Sequence, residues 1–461
     1  MEKAKTRTKP FGMADRIGYM FGDFGNDFTF ILSSMFLMKF YTDVMGISSS
    51  LVGLMMMIAR IVDAFTDVAM GQICDRSKRT AKGKFTPWIR RVCGPVALAS
   101  FLMYAVWFKD MSMGFKIFWM FFTYLLWGSI CYTGINIPYG SMASAITEDP
   151  KERASLSTFR TIGATLASTV IGVVLPLAVY YTDAAGNTVF SGNRMCIAAL
   201  CCSIGAIICY MICYHLTTER VKIETKTEKF SFGELVKTML GNRALIGIVA
   251  AALLLLLAQL TLGGMGNYIY PNYFGNAGAL SMATMLQSVV TLLLSTVIVK
   301  VSTKIGKKEL ATAGAAIGAI ALFVAYFLHT KNVWVFVGLY LVSSIGIAFF
   351  NLLCWAMITD VIDDAEVRCG NRSDGTIYAV YSFARKLGQA ASSGLIGGLL
   401  SLVGYSAATA FDPAVTTGIY NITCLVPAVG FVLLALVLQF LYPLDKKTVE
   451  NNVSILKEKR G

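Results

Sequence analysis

The stretch that decides the fold runs from Leu51 to Trp88: LVGLMMMIARIVDAFTDVAMGQICDRSKRTAKGKFTPW. Its first part is apolar over the ~20 residues that a helix needs to cross a bilayer, yet it carries Arg60, Asp63 and Asp67 near its middle. Residues four apart share a helical face, so both carboxylates project the same way. Charges at bilayer depth cost roughly 2.5 kcal/mol or more and usually face a partner or a wet cavity. We therefore predict a cation site at the two acids; the alternative is an ion-pair cluster that only holds helices together.

The composition is typical of an integral membrane protein. Of the 461 residues, 56% are hydrophobic and 15% are charged, whereas soluble domains have about 25% charged residues. The net charge of +13 does not indicate nucleic-acid binding, because the basic residues lie in short loops between apolar spans. The cysteines are scattered without a CxxC pair and only two histidines occur. We therefore expect no metal site and no cofactor apart from a coupling cation.

The apolar segments predict an all-α membrane protein with twelve transmembrane helices. Connections on the side of the N-terminus carry 31 Lys and Arg residues, whereas those on the opposite side carry 4. The positive-inside rule therefore predicts a multi-pass protein of the plasma membrane, or of the inner membrane in a two-membrane cell, with both termini in the cytoplasm. The spans lie near residues 18–41, 50–73, 89–108, 115–139, 156–181, 194–216, 244–267, 280–301, 309–329, 333–357, 376–403 and 415–442.

The longest predicted cytoplasmic connection divides the spans six and six. We assign residues 1–216 to an N-terminal half, 217–243 to the connection, 244–442 to a C-terminal half and 443–461 to a cytoplasmic tail. The halves resemble each other weakly, through DRSKR after the second span and VSTKIGKK after the eighth. Two six-helix halves related by an axis along the membrane normal describe the major facilitator fold.

A second pair of acids lies in the first span, within GDFGNDF. Asp27 is nearly mid-membrane with Asn26 beside it, and Asp23 is closer to the cytoplasmic end. Carboxylates and amides bind the hydroxyl groups of sugars, so Asp27 and Asn26 are candidate sugar ligands. The alternative is a structural ion pair of Asp27 with Arg160 or Lys386.

Other polar residues at bilayer depth are further candidates for the two sites. They are Tyr132, Thr133, Asn136, Arg160, Arg385 and Lys386. Asp75 and Arg76 lie where the second span meets water. We predict a cytoplasmic gate there, because an acid can pair with Lys or Arg at that position only while the inner side is closed. For the lysines of the loop that follows, a plain topology signal is an equally good interpretation.

Eight stretches of this sequence form a specific pattern: GDFGNDF, FYTDVMGIS, ARIVDAFTDVAMG, DRSKRTAKGKFTPW, NIPYGSMASAIT, ERASLSTFR, ITDVIDDAE and YSFARKLGQA. With them the chain resembles, over nearly its full length, the glycoside–pentoside–hexuronide:cation symporters, the group that contains the melibiose permease. NIPYGS, KIGKKE and FARKLGQ are most similar to the glucuronide carrier branch. The resemblance implies cation-coupled sugar transport by alternating access, with no enzymatic activity.

The resemblance also implies roles for particular residues. Asp63 and Asp67 would bind the coupling cation, with Thr133 near them. Asp27 and Arg160 would contact the sugar. We predict a cation set and a substrate set. The cation set is Asp63, Asp67, Thr133 and Asn136; the substrate set is Asp27, Asn26, Asn136, Tyr132, Arg160, Arg385 and Lys386.

The chain departs from the melibiose-type pattern at two positions. Asn136 stands where those members have Asp, and Gly140 stands where they have Trp. Because a Na⁺ site prefers several anionic oxygens whereas a proton needs one carboxylate, we favour H⁺ over Na⁺ as the coupling ion. Arg60, Arg160, Arg385 and Lys386 bring positive charge to bilayer depth, which favours an anionic sugar, most of all a hexuronide.

Three other classes of protein compete with this interpretation. An amphiphilic lipid carrier is a less favoured alternative, because the polar set at bilayer depth suits a sugar better. A membrane-embedded enzyme would need a nucleophile with a base or a metal motif, and no HExxH or GxSxG occurs. A channel would need a pore-lining ring. A Na⁺-coupled carrier of a neutral pentoside or glycoside stays open. The expected partners are a small sugar, a coupling cation and membrane lipids, and we expect a monomer.

Overall fold

A computed structural model describes residues 10–221, 241–369 and 374–460. In this part of the chain, each predicted span coincides with a helix. The first seven helices are α1 (Met13–Asp43), α2 (Ser49–Arg76), α3 (Thr86–Leu102), α4 (Met113–Leu125), α5 (Thr133–Ile146), α6 (Pro150–Val179) and α7 (Gly192–Leu216). The next seven are α8 (Arg243–Tyr268), α9 (Ala277–Ile305), α10 (Lys307–Leu328), α11 (Val333–Cys369), α12 (Asp374–Leu402), α13 (Pro413–Leu436) and α14 (Lys446–Arg460).

Short elements complete the described chain. A single turn of 3₁₀-helix, Val106–Phe108, follows α3, and a two-stranded sheet of β1 (Tyr180–Thr182) and β2 (Thr188–Phe190) links α6 to α7. A π-helical turn, Leu126–Tyr132, joins α4 to α5, so that the fourth span is one helix from Met113 to Ile146. Similar turns, Ile269–Tyr273 and Val437–Leu441, follow α8 and α13. A π turn shifts the facing of all side chains beyond it.

Among the described residues, eight helical segments are long and apolar enough to cross a membrane by length and composition alone. The other four predicted spans correspond to α1, α2, α3 and α12. Helix α3 is only 17 residues long, and the other three carry the acids and bases singled out above. Charged side chains at bilayer depth carry a solvation cost, and most of the predicted site residues lie on α1, α2 and α12 or on the helices packed against them.

The predicted cytoplasmic tail, 443–461, contains a helix that the polar sequence did not reveal. Helix α14 packs against α11. Asn452 donates a hydrogen bond to the buried carboxylate of Asp364 at 3.1 Å, and Leu456 is buried. The tail is therefore held against the second half of the protein.

Contacts among the described residues divide the chain into two compact units. In sequence the first is bounded by Met1–Ile47, Ile58–Tyr181 and Phe190–Glu228, and the second by Ser48–Met57, Thr182–Val189 and Lys229–Gly461. The start of α2 thus packs with the second unit, although it precedes most of the first in sequence. The division of the chain into strict sequence halves stays a prediction.

The core of the second unit is a hydrophobic cluster contributed mainly by α8, α10, α11, α12 and α13. Against α12 lies the first turn of α2, and the two backbones approach closely. A Cβ atom added to Gly397 would lie 2.3 Å from the carbonyl oxygen of Ser49, and one added to Gly53 would lie 2.9 Å from the Cα atom of Gly397. This crossing therefore requires glycine on both helices.

Adding one methyl group at this crossing should destabilise the protein. Gly397→Ala places its Cβ against backbone that cannot rotate away, and overpacking of this kind costs about 1–3 kcal/mol. Gly398→Ala is the matched control, because nothing lies within 4 Å of the added Cβ and alanine favours the helix. We expect a lower midpoint of thermal unfolding in detergent for the first variant and an unchanged or higher one for the second. Equal midpoints would contradict the close crossing.

Candidate cation and substrate site

The acid pair of α2 faces hydroxyl groups on the fourth span. Asp63 is buried, and its Oδ1 atom accepts a hydrogen bond from the Ser129 hydroxyl at 2.6 Å. Its other oxygen, Oδ2, lies 3.6 Å from a guanidinium nitrogen of Arg60. The Arg60 guanidinium also stacks over the ring of Phe30, 4.7 Å from its centroid. The charge on Asp63 is thus balanced by one hydroxyl and one cation.

Asp67 has the corresponding hydroxyl partner one turn further along α2. The Thr133 hydroxyl donates to Asp67 Oδ1 at 2.8 Å and lies 3.2 Å from the carbonyl oxygen of Gly128. Two acids four residues apart therefore face two hydroxyl residues four residues apart. Carboxylate, hydroxyl and carbonyl oxygens are the ligands that hard cations accept, and a carboxylate alone holds a proton.

The π-helical turn Leu126–Tyr132 brings the fourth span close to α2. Ser129 and Gly128 both lie in it. A Cβ atom on Gly128 would lie 3.4 Å from Asp63 Oδ1, so the absence of a side chain leaves the carboxylate room beside the helix backbone. π turns inside helices occur frequently at functional sites.

A second polar group lies on α1, α5 and α7. The Asn26 amide donates to the Asn136 side-chain oxygen at 3.4 Å, and Asn26 in turn accepts a hydrogen bond from the Tyr210 hydroxyl at 2.8 Å. Asn136 belongs to both predicted sets, and its hydrogen bond is with Asn26, a member of the substrate set. The Tyr132 ring lies nearby in sequence and stacks on Phe30, with centroids 5.7 Å apart.

Arg160 pairs with Asp23 rather than with Asp27. Its Nε atom donates to Asp23 Oδ1 at 3.0 Å, and its guanidinium lies 5.5 Å from the centroid of the Tyr139 ring. The Arg160 side chain keeps 44% of its surface exposed. Asp27 has no hydrogen bond or ion pair with another residue in the described part of the chain, although Asp23 and Arg160 are near enough to act on its charge. The contact of Asp27 with a sugar stays a prediction.

In the second unit the predicted residues lie on α12 beside aromatic rings. The Arg385 guanidinium is 5.9 Å from the ring centroid of Trp355 and 5.8 Å from that of Tyr381. Asp360 of α11 is a possible partner for these bases by its charge, but its carboxylate is bound by Lys307 at 2.6 Å. Lys386 follows Arg385 in α12 and is half-buried.

The predicted gate is described only in part. The side chain of Asp75 lies outside the described residues, and Arg76 ends α2 with an exposed side chain. The loop beyond is bound by the buried carboxylate of Glu219, which follows α7. Glu219 accepts hydrogen bonds from the backbone N–H groups of Lys84, Phe85 and Thr86 at 2.7, 2.8 and 2.6 Å. An acid is thereby placed at the N-terminus of α3, where the helix dipole favours negative charge.

Four residues that contact the predicted site residues or anchor the loop before α3 were missed in the sequence. They are Ser129, Tyr210, Trp355 and Glu219. Ser129 had a usable signal, because it lies four residues before Thr133 just as Asp63 lies four before Asp67. The others depend on long-range packing: 133 residues separate Glu219 from Thr86, and no local pattern in the sequence joins them.

Comparisons with known proteins assign the chain to a family. The model of the MFS/sugar transport protein family matches residues 18–446, and the chain belongs to that family. It is 30% identical over 446 residues to the glucuronide carrier protein homolog of Escherichia coli (strain K12), covering 96% of this chain and 95% of the relative. It is 31% identical over 441 residues to the isoprimeverose transporter of Lactiplantibacillus pentosus, covering 94% and 89%.

Solved structures agree with the fold. The D-xylose-proton symporter matches with a TM-score of 0.62 at 16% identity over 94% of this chain and 97% of that one. A bacterial homolog to the human lysosomal transporter Spinster matches with a TM-score of 0.67 at 13% identity over 95% and 97%. The predicted major facilitator fold and the resemblance to the glycoside–pentoside–hexuronide group are therefore confirmed. The protein is a multi-pass sugar or glycoside transporter, and its relatives and fold neighbours are transporters rather than enzymes.

Removing the Glu219 carboxylate should destabilise the first unit at the N-terminus of α3. Glu219→Ala leaves three N–H groups of the α3 N-terminus without their acceptor, and unsatisfied buried groups cost about 1–3 kcal/mol. We expect a lower midpoint of thermal unfolding in detergent. Glu148→Ala serves as control, because Glu148 is exposed and should leave the midpoint unchanged. The same midpoint for both variants would contradict the anchoring role.

Proposed function

We propose that the protein is a cation-coupled symporter that takes up a sugar or glycoside by alternating access. Transport of a sugar or glycoside follows from the family, and coupling to a cation is what we propose beyond it. The observation that carries it lies on one continuous helix, Met113–Ile146. Ser129 and Thr133 of this helix bind the acid pair of α2, and Asn136, three residues further on, binds Asn26 of α1.

Coupling requires that cation and sugar each stabilise the state that the other prefers. A helix shared by both groups provides this link. A cation held by Asp63 and Asp67 would fix Ser129 and Thr133 on the fourth span, and with them the position of Asn136. A sugar held by Asn26, Asp27 and Asn136 would contact the same helix through Asn136. One charge that moves down a 100 mV potential contributes about 2.3 kcal/mol to accumulation.

We favour a proton as the coupling ion. Asn136 provides no charge, and Arg60 lies beside Asp63 as a resident cation, so a bound Na⁺ would face fewer free negative charges. A proton needs a single carboxylate. Na⁺ stays the alternative, supported by the hydroxyl oxygens of Ser129 and Thr133 next to the two acids.

For the substrate we favour an anionic sugar, and among these a hexuronide. The Arg160 side chain keeps part of its surface exposed, and among the described residues Arg385 lies against aromatic rings rather than against an acid. Arginine binds carboxylates in a bidentate manner. The glucuronide carrier homolog among the relatives agrees with this choice, whereas the isoprimeverose transporter supports the alternative of a neutral glycoside. Lys386 is a further predicted substrate residue, and an amphiphilic lipid is the least favoured cargo.

The proposal includes an orientation and an assembly state. The asymmetry of 31 basic residues against 4 supports two cytoplasmic termini in the plasma or inner membrane. The sites described above are each built within one chain, which supports function as a monomer.

Neutralising either acid of α2 should uncouple transport. In vesicles with an imposed proton gradient, Asp63→Asn and Asp67→Asn should lose uphill accumulation of a labelled glucuronide while retaining counterflow of the same sugar. The control is Asp110→Asn, an exposed loop position at which both activities should persist. Repeating the assay with a Na⁺ gradient identifies the ion. If both acid variants still concentrate substrate, the coupling site lies elsewhere.

Competition measures the charge preference of the sugar site. A glucuronide should inhibit uptake about tenfold or more better than the matching neutral glucoside, because a hydrogen bond to a charged group contributes about 1.5–3 kcal/mol. Arg385→Gln should narrow this difference, and Arg91→Gln, at an exposed position, should not. Equal inhibition by the two sugars would reject the anionic substrate and favour the neutral glycoside.

A further inference from the structure

An apolar groove of about 450 Å³ lies between α6 and α7. Both helices pack closely on α1 but contact each other far less, so a gap opens between them on the side away from α1. Its walls are formed by Val170, Val174 and Ala178 of α6 and by Ile197, Ala198 and Cys201 of α7. Among the residues that line it, Arg194 is the charged one.

Arg194 lies near the start of α7, at the end of the groove that is nearest to the first residues of β1. Its guanidinium donates to the carbonyl oxygen of Tyr180 at 3.2 Å and stacks over the Tyr181 ring, 5.4 Å from its centroid. Arginine has five N–H donors, so most remain for a ligand. An exposed arginine beside tyrosine at the end of a spanning helix is typical of the headgroup level of a membrane.

The length of the groove matches one leaflet of a bilayer. Val170 and Ala178 are eight residues apart in α6, a rise of about 12 Å, and half of the hydrocarbon core is about 15 Å thick. The inner end of the groove is formed by Phe28, which lies mid-way along α1 and directly follows Asp27. The groove thus runs from a cation at one membrane face to the middle of the membrane.

We propose that this groove binds an anionic phospholipid, with one acyl chain between α6 and α7 and the phosphate on Arg194. The apolar walls offer nothing to the hydroxyl groups of a sugar, whereas they remove a hydrocarbon chain from contact with other lipids. Arginine is suited to phosphate, which it binds through two N–H groups at once. A lipid bound here is a resident of the protein rather than its cargo.

The bound chain would touch the helices that carry the sugar site. Phe28 is adjacent to Asp27 on α1, and α6 carries Arg160. A lipid that fills the gap adds apolar contacts to α1, α6 and α7, including contacts to Phe28, which lines the groove. Lipid binding therefore stabilises the first unit whichever sugar is transported.

The test is lipid binding by the purified full-length protein, measured by native mass spectrometry. Phosphatidylglycerol and phosphatidylcholine with identical acyl chains are added in turn. We expect phosphatidylglycerol to be retained about tenfold better, since both lipids carry a phosphate but the choline cation of phosphatidylcholine offsets its attraction to Arg194. Arg194→Gln should remove this preference, and Lys331→Gln, a basic residue that the groove does not include, should keep it.

Variants that fill the groove with a larger side chain distinguish lipid bound in the groove from lipid adsorbed elsewhere on the protein. Ala198→Trp should reduce retention of phosphatidylglycerol at least about fivefold, the effect of losing roughly 1 kcal/mol of apolar contact. Ala178→Phe, on the opposite wall, gives the same result by an independent change and replaces the first variant if that one does not fold. Equal retention of the two lipids by the wild type, or undiminished retention in a folded groove-filling variant, would overturn the proposal.

Discussion

The cost of placing charge inside a membrane organises the first unit of this protein. An acid at bilayer depth is tolerated when a hydrogen bond or an opposite charge replaces the water it has lost. Asp23 has Arg160, Asp63 has Ser129 and Arg60, and Asp67 has Thr133. Apart from Arg60, which lies on α2 itself, these partners come from α6 and the fourth span, so α6 has to pack on α1 and the fourth span on α2 for the acids to be satisfied.

Asp27 is the exception within this pattern. It is half-buried, and none of the described residues forms a hydrogen bond or an ion pair with its side chain. A buried polar group without a partner raises the free energy of the folded protein. A ligand that hydrogen-bonds to such a group removes this cost and is therefore bound in preference to one that does not. The neighbouring Asn26, by contrast, is held by Tyr210 and Asn136. Asn26 is thus held in place by two hydrogen bonds, whereas no described residue holds the carboxylate of Asp27 in this way.

Much of the fold followed from the sequence because apolar length and loop charge are local properties. The twelve spans, the i,i+4 acid pairs and their separation into two groups required only helical periodicity. The π turn before Thr133 has no comparable signature, and it decides which side chains of the fourth span face α2. The pairing of Arg160 with Asp23 rather than Asp27 was equally hidden, since the two acids differ by one turn and both lie within reach of a long side chain. Side-chain partners across helices depend on packing that periodicity alone does not give.

The hydrogen bonds between Glu219 and the N-terminus of α3 can form only late in the synthesis of the first unit. Thr86, which starts α3, precedes Glu219 by 133 residues. At 5–20 residues per second, the ribosome needs roughly 7 to 27 s to cover that distance. During this interval α3 has already been translated while its N-terminal N–H groups wait for their carboxylate. The first unit therefore acquires this anchor only when its final segment emerges, so that completion of all six spans, and not of any pair, marks the end of its assembly.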